Sequence, residues 1–86
     1  MDNNSVSSSV KNFIHANFPS ARNRVLEDSD LLLESGIIDS LGVLDMVSFI
    51  ESQFGIHVVD DELVPENFQT IGQIVKFIER TQRERV

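Results

Sequence analysis

Three segments of this chain repeat apolar residues at helical spacing, and none alternates them as a half-buried strand does. Val6, Val10, Phe13 and Ile14 do so between about Ser5 and Asn17; Leu41, Leu44, Val47, Ile50 and Phe54 between about Ser40 and Gln53; Ile71, Ile74, Val75 and Ile78 after Thr70. Val58-Val59 is too short and isolated to build a sheet. The chain is therefore read as all-α, a small four-helix bundle. Three main helices are joined by one short helix or turn around Asp60-Asp61-Glu62-Leu63-Val64-Pro65.

The helix ends are marked chemically. Pro19 closes the first helix, because proline disfavours helix in the residue before it and donates no amide hydrogen bond. Asp39 and Ser40 both suit the N-cap of the second, and Gly55 lies just past its end. Thr70 and Gln73 have capping-box spacing for the last helix. Lys76, Arg80, Arg83 and Arg85 gather toward its C-terminal end, where the helix dipole favours positive charge. Residues 1 to 4 and those beyond Arg83 are expected to fray. Residues 20 to 38 make a long loop between the first two helices, and a loop of that length needs packing of its own. Leu31-Leu32-Leu33 and Ile37-Ile38 supply it, with a turn at Asp28-Ser29-Asp30.

Eighty-six residues fit a single domain, with its core between about residues 5 and 82. At this size only about 60 to 65% of the unfolded chain's surface can be buried. A large enclosed cofactor beside a full catalytic apparatus would use core the chain can hardly spare, which favours a carrier or binding module. Cysteine is absent, so there is neither a disulfide framework nor a thiolate metal site. No apolar run reaches membrane-spanning length, and Met1-Asp2-Asn3-Asn4-Ser5 has neither the basic start nor the apolar stretch of a signal peptide. The expectation is a soluble, cytoplasmic monomer.

Acidic residues outnumber basic ones 14 to 7, and their placement matters more than their number. Glu27, Asp28, Asp30, Glu34, Asp39, Asp45, Glu51, Asp60, Asp61, Glu62 and Glu66 fall in a stretch with no Lys or Arg. Such a field disfavours nucleic acid and anionic membranes and speeds encounter with a partner that displays Lys and Arg.

Ser40 sits at the centre of that field, at the start of the second helix. A phosphate on its oxygen would lie beside unpaired first-turn amides at the positive end of the helix dipole, so the position suits a phosphoester. A catalytic serine is disfavoured: Ile38 stands where the Gly-x-Ser-x-Gly elbow needs glycine, and only His15 and His57 could act as base. Two histidines do not make a zinc site. Asp28 and Asp30 do not make an EF-hand, because Leu32 and Leu33 stand where further oxygen ligands and a glycine are needed. From the residues alone, the alternative to a carrier is an acidic helical adaptor with no prosthetic group.

Gly36-Ile37-Ile38-Asp39-Ser40-Leu41 resembles the Asp-Ser-Leu attachment motif of acyl carrier proteins. Phe54-Gly55-Ile56, Asp60-Asp61-Glu62 and Pro65-Glu66-Asn67-Phe68-Gln69-Thr70-Ile71 are similar to the second half of that family. The resemblance implies a non-enzymatic carrier with 4′-phosphopantetheine attached covalently to Ser40, flanked by motif neighbours Asp39 and Leu41. The thiol of that group would hold an acyl or aminoacyl cargo as a thioester for fatty acid, polyketide, nonribosomal peptide or related biosynthesis. Implied partners are a phosphopantetheinyl transferase, an adenylate-forming ligase or acyltransferase, and downstream synthase enzymes with basic docking surfaces. Asp39, Asp45, Met46 and Glu51 are the candidate docking residues. Gly42, Ser48, Ser52 and Gln53 replace the acidic residues usual on the second helix of fatty-acid-synthesis carriers, so the chain looks closer to stand-alone carriers, including the D-alanyl type.

Overall fold

The computed structural model describes residues 3–22 and 25–84. Helix α1 spans Asn3–Asn17, α2 Ser40–Phe54, α3 Pro65–Phe68 and α4 Ile71–Glu84. Single 3-10 turns occur at Pro19–Ala21 and Asp60–Glu62. Among the described residues there is no strand, only an isolated antiparallel bridge between Leu31 and Thr70. Helix α1 includes Asn3 and Asn4, and α4 includes Glu84; residues 1, 2, 23, 24, 85 and 86 lie outside the described range. None of these helices is long and apolar enough to cross a membrane.

The apolar face of α1 is as its spacing predicts: Val6, Val10 and Ile14 are buried and Phe13 is partly so. Pro19 ends the helix and opens the 3-10 turn, with the preceding Phe18 in extended backbone. In α4, Ile71, Ile74, Val75 and Ile78 are buried as expected, joined by Phe77 and Thr81. Thr70 Oγ1 accepts the Gln73 N–H at 3.1 Å, which is the threonine half of the expected capping box. Helix α4 packs against α1, α3 and α2, so its two-sided apolar surface forms the centre of the core.

Helix α2 differs from the expected register. Ile50 is buried and Val47 and Phe54 are partly buried, but Leu41 and Leu44 are 74% and 55% exposed. Gly42 and Met46 take the core face instead. The cause is geometric: Leu41, Leu44, Val47 and Ile50 follow one another by threes, and each such step falls about 60° short of a full turn. Four residues spaced that way wind halfway around the helix. Gly42, Met46 and Ile50, spaced by fours, stay within one face.

The long loop is tied down at two points. Asp28-Ser29 forms a turn in which the Asp30 N–H donates to Glu27 O and the Glu27 N–H donates to Asp30 Oδ2, both at 3.0 Å. Asp28 then joins three elements. Its carboxylate lies 3.2 Å from Lys11 Nζ and accepts the Ser7 hydroxyl at 3.3 Å, while its carbonyl accepts the Gly72 N–H at 2.9 Å. Further on, the Leu32 N–H donates to Gln69 O at 2.8 Å, which fixes the loop to the α3–α4 junction.

Candidate functional site

The chain approaching Ser40 is held by buried side chains and backbone bonds. Ser35 N–H donates to Leu31 O at 2.9 Å and Gly36 N–H to Leu33 O at 3.3 Å, closing a turn that requires a left-handed residue at Gly36, where φ is 81°. Ile37 and Ile38 follow, 3% and 1% exposed, and the Ile38 N–H donates to Leu32 O at 3.1 Å. The anchored isoleucines therefore fix the chain immediately before Asp39 and Ser40.

Asp39, in extended backbone, is the N-cap of α2: its Oδ1 accepts the Gly42 N–H at 2.7 Å, and its carbonyl accepts the Val43 N–H at 3.0 Å. Sequence reasoning left the cap open between Asp39 and Ser40. Because Asp39 takes it, the Ser40 hydroxyl is exposed and has no hydrogen bond among the described residues. The backbone amides of Ser40 and Leu41 precede the first intrahelical bond and are likewise unpaired among those residues. An anion on the Ser40 oxygen would face these donors and the helix dipole.

Beside the hydroxyl lies an open apolar hollow of about 290 Å³, lined by Leu33, Ser40, Val43, Leu44, Leu63, Val64, Pro65 and Phe68. The exposed Leu41, Leu44, Leu63 and Val64 make this end of the bundle apolar at its surface. Asp45 is exposed on the same helix.

Of the expected docking residues, Met46 lies in the core and Glu51 is half-buried, with its carboxylate engaged by the chain that follows α2. Met46 is fully buried, because the core stripe runs through Gly42, Met46 and Ile50. Glu51 is turned to the chain beyond α2, where its Oε2 accepts the Val58 N–H at 2.9 Å and lies 3.3 Å from His57 Nδ1. His57 thus sits at the far end of α2, because Glu51 is roughly 16 Å along the axis from Ser40. The sequence reading missed the exposed Leu41 and Leu44 and the contribution of Leu63, Val64 and Pro65. The steps of three between the leucines were the available signal.

The family model described as "Phosphopantetheine attachment site" matches residues 20–78. The acyl carrier protein of Thermotoga maritima is 37% identical over 73 residues, covering 85% of this chain and 86% of that protein. Among solved structures, a chain from "Crystal structure of FAD-dependent dehydrogenase" superposes with a TM-score of 0.71 at 28% identity. That match covers 80% of this chain and 97% of the other.

Proposed function

The chain belongs to the acyl carrier protein family, and from that premise we propose that Ser40 is the residue bearing its 4′-phosphopantetheine. Members of this family are carriers with a covalently attached phosphopantetheine rather than catalysts, and they work with a phosphopantetheinyl transferase and biosynthetic enzymes. Family membership favours this reading over a bare acidic adaptor. The observation that carries the choice of Ser40 is the division of labour at the start of α2. Asp39 caps the helix, leaving an exposed hydroxyl next to two amides that are unpaired among the described residues.

These residues fit the group. Ser40 Oγ would hold it through a phosphodiester, formed as the hydroxyl displaces the adenosine bisphosphate portion of coenzyme A and gives its proton to a base on the transferase. When bound, the group supplies a terminal thiol that holds the cargo as a thioester. The chain's own residues then have positional roles. Ile37 and Ile38 anchor the attachment point, Asp39 orders the first turn, and the rigid helix end limits where the tether begins.

Docking on this reading falls to Leu41 and Leu44 with Asp45, all exposed on α2, and to the apolar rim at Leu63 and Val64. Partners would show an apolar contact ringed by Lys or Arg. With so few acidic residues on α2, the loading partner is proposed to be an adenylate-forming ligase, as for stand-alone and D-alanyl-type carriers. The test is loading itself. Given coenzyme A, magnesium and a broad-specificity transferase, the folded protein should gain the mass of one phosphopantetheine. A folded protein that gains none with two different transferases overturns the reading.

A further inference from the structure

Glycine is a poor choice near the start of a helix compared with alanine, so its presence at Gly42 asks for a physical reason. A Cβ at this position would lie 2.7 Å from Phe18 Cε1, 3.0 Å from Ile38 Cγ2 and 3.3 Å from Asp39 Oδ1. The first distance is shorter than two carbons tolerate, and the third involves the same oxygen that caps the helix by accepting the Gly42 N–H. Phe18 is largely buried, and its backbone is tied on both sides. Its N–H donates to Ile14 O at 3.0 Å and its carbonyl accepts the Ala21 N–H at 2.9 Å. Its ring meets Phe13 edge-on, with centroids 6.0 Å apart, and Phe13 stacks on Phe49 of α2 at 4.2 Å.

We propose that Phe18 and Gly42 form a seat that fixes the height and tilt of the first turn of α2, and thereby the position at which Ser40 is presented to the transferase. The inference rests on Ser40 being the attachment residue. Gly42 is a positioning residue on this account: it touches neither the coenzyme nor the reacting oxygen. An added methyl group must push the first turn away from Phe18, and Ser40, two residues earlier in that turn, moves with it. Transfer to a hydroxyl is sensitive to such displacement, since misplacement by about 1 Å can cost about 100-fold in rate. Leu44 and Asp45, a turn further along α2, stay available for docking, so binding of the carrier should suffer less than turnover.

The experiment measures transferase kcat and KM for wild type, Gly42→Ala, Phe18→Leu, the double variant and Ser40→Ala, with a thermal melt of each. Gly42→Ala should remain folded and lose about tenfold in kcat with KM nearly unchanged. Adding Phe18→Leu, which removes the opposing ring edge, should restore most of that loss. A folded Gly42→Ala with wild-type kcat, or a double variant no faster than Gly42→Ala, overturns the proposal. Should Gly42→Ala fail to fold, the double variant decides: recovered folding and turnover support the seat, and failure of either refutes it. Wild type that is not modified at all, or Ser40→Ala that is, counts against the attachment residue instead.

Discussion

Glu51 Oε2 accepts the Val58 N–H at 2.9 Å and so ties the last turn of α2 to the segment that follows it. One residue on, the Val59 N–H donates to Glu62 Oε1 at 3.1 Å. Two carboxylates of the acidic stretch are thus engaged with consecutive backbone amides. Their role is to shape the connection that carries Leu63, Val64 and Pro65 to the hollow beside Ser40.

Glu51→Ala should therefore destabilise the protein by about 1 to 3 kcal/mol, the range for loss of a partly buried hydrogen bond to a charged acceptor. Glu51→Gln keeps an acceptor oxygen and should cost less. Urea titration gives the stability, and transferase KM should stay near wild type. Unchanged stability together with a raised KM would return Glu51 to the docking surface.

The register of α2 makes a second test. Met46→Ala and Ile74→Ala, both at fully buried positions, should each cost about 2 to 5 kcal/mol. Phe54→Ala, expected from sequence to cost as much, should lie at or below the lower end because the ring is only partly buried. Leu41→Ala, at a site 74% exposed, should stay within about 0.5 kcal/mol of wild type. A urea midpoint lowered more by Leu41→Ala than by Met46→Ala would reverse the assignment.

Helices α1 and α4 were legible because their apolar residues mix steps of three and four, which keeps them on one face, and because Pro19 and Thr70 mark their ends. Helix α2 was legible in extent but not in facing. It carries apolar side chains on nearly every side, so counting them could not distinguish a core face from a docking face. Gly42, at the N-terminal end of the buried stripe with Met46 and Ile50, has no side chain to register in an apolar pattern, and its closeness to Phe18 shows only in the folded chain. The start of α2 at Asp39-Ser40 was legible because capping chemistry depends on adjacent residues. The hollow was not, since Leu63, Val64 and Pro65 reach it only through tertiary folding.

Thr81 is 1% exposed, and its hydroxyl has no partner among the described residues. Thr81→Val, which removes the hydroxyl while keeping the shape, should leave stability unchanged or raise it by about 1 to 2 kcal/mol. A drop of the urea midpoint would mean that the hydroxyl is bonded in solution.

Association with the transferase should weaken as salt rises. Glu34, Asp45, Asp60, Asp61 and Glu66 belong to a stretch without Lys or Arg, and exposed charges are screened within about 8 Å at physiological ionic strength. Affinity that is constant from low to high salt would assign docking to the apolar surface of Leu41 and Leu44 alone.

The most direct test of the attachment residue is its location by peptide mass spectrometry after loading. Cleavage at Glu34 and Glu51 releases a peptide containing Ser35, Ser40 and Ser48, and fragmentation separates the three. The phosphopantetheine should be found on Ser40, persist in Ser35→Ala and vanish in a folded Ser40→Ala. The group on Ser35 or Ser48, or still present in Ser40→Ala, would contradict the account.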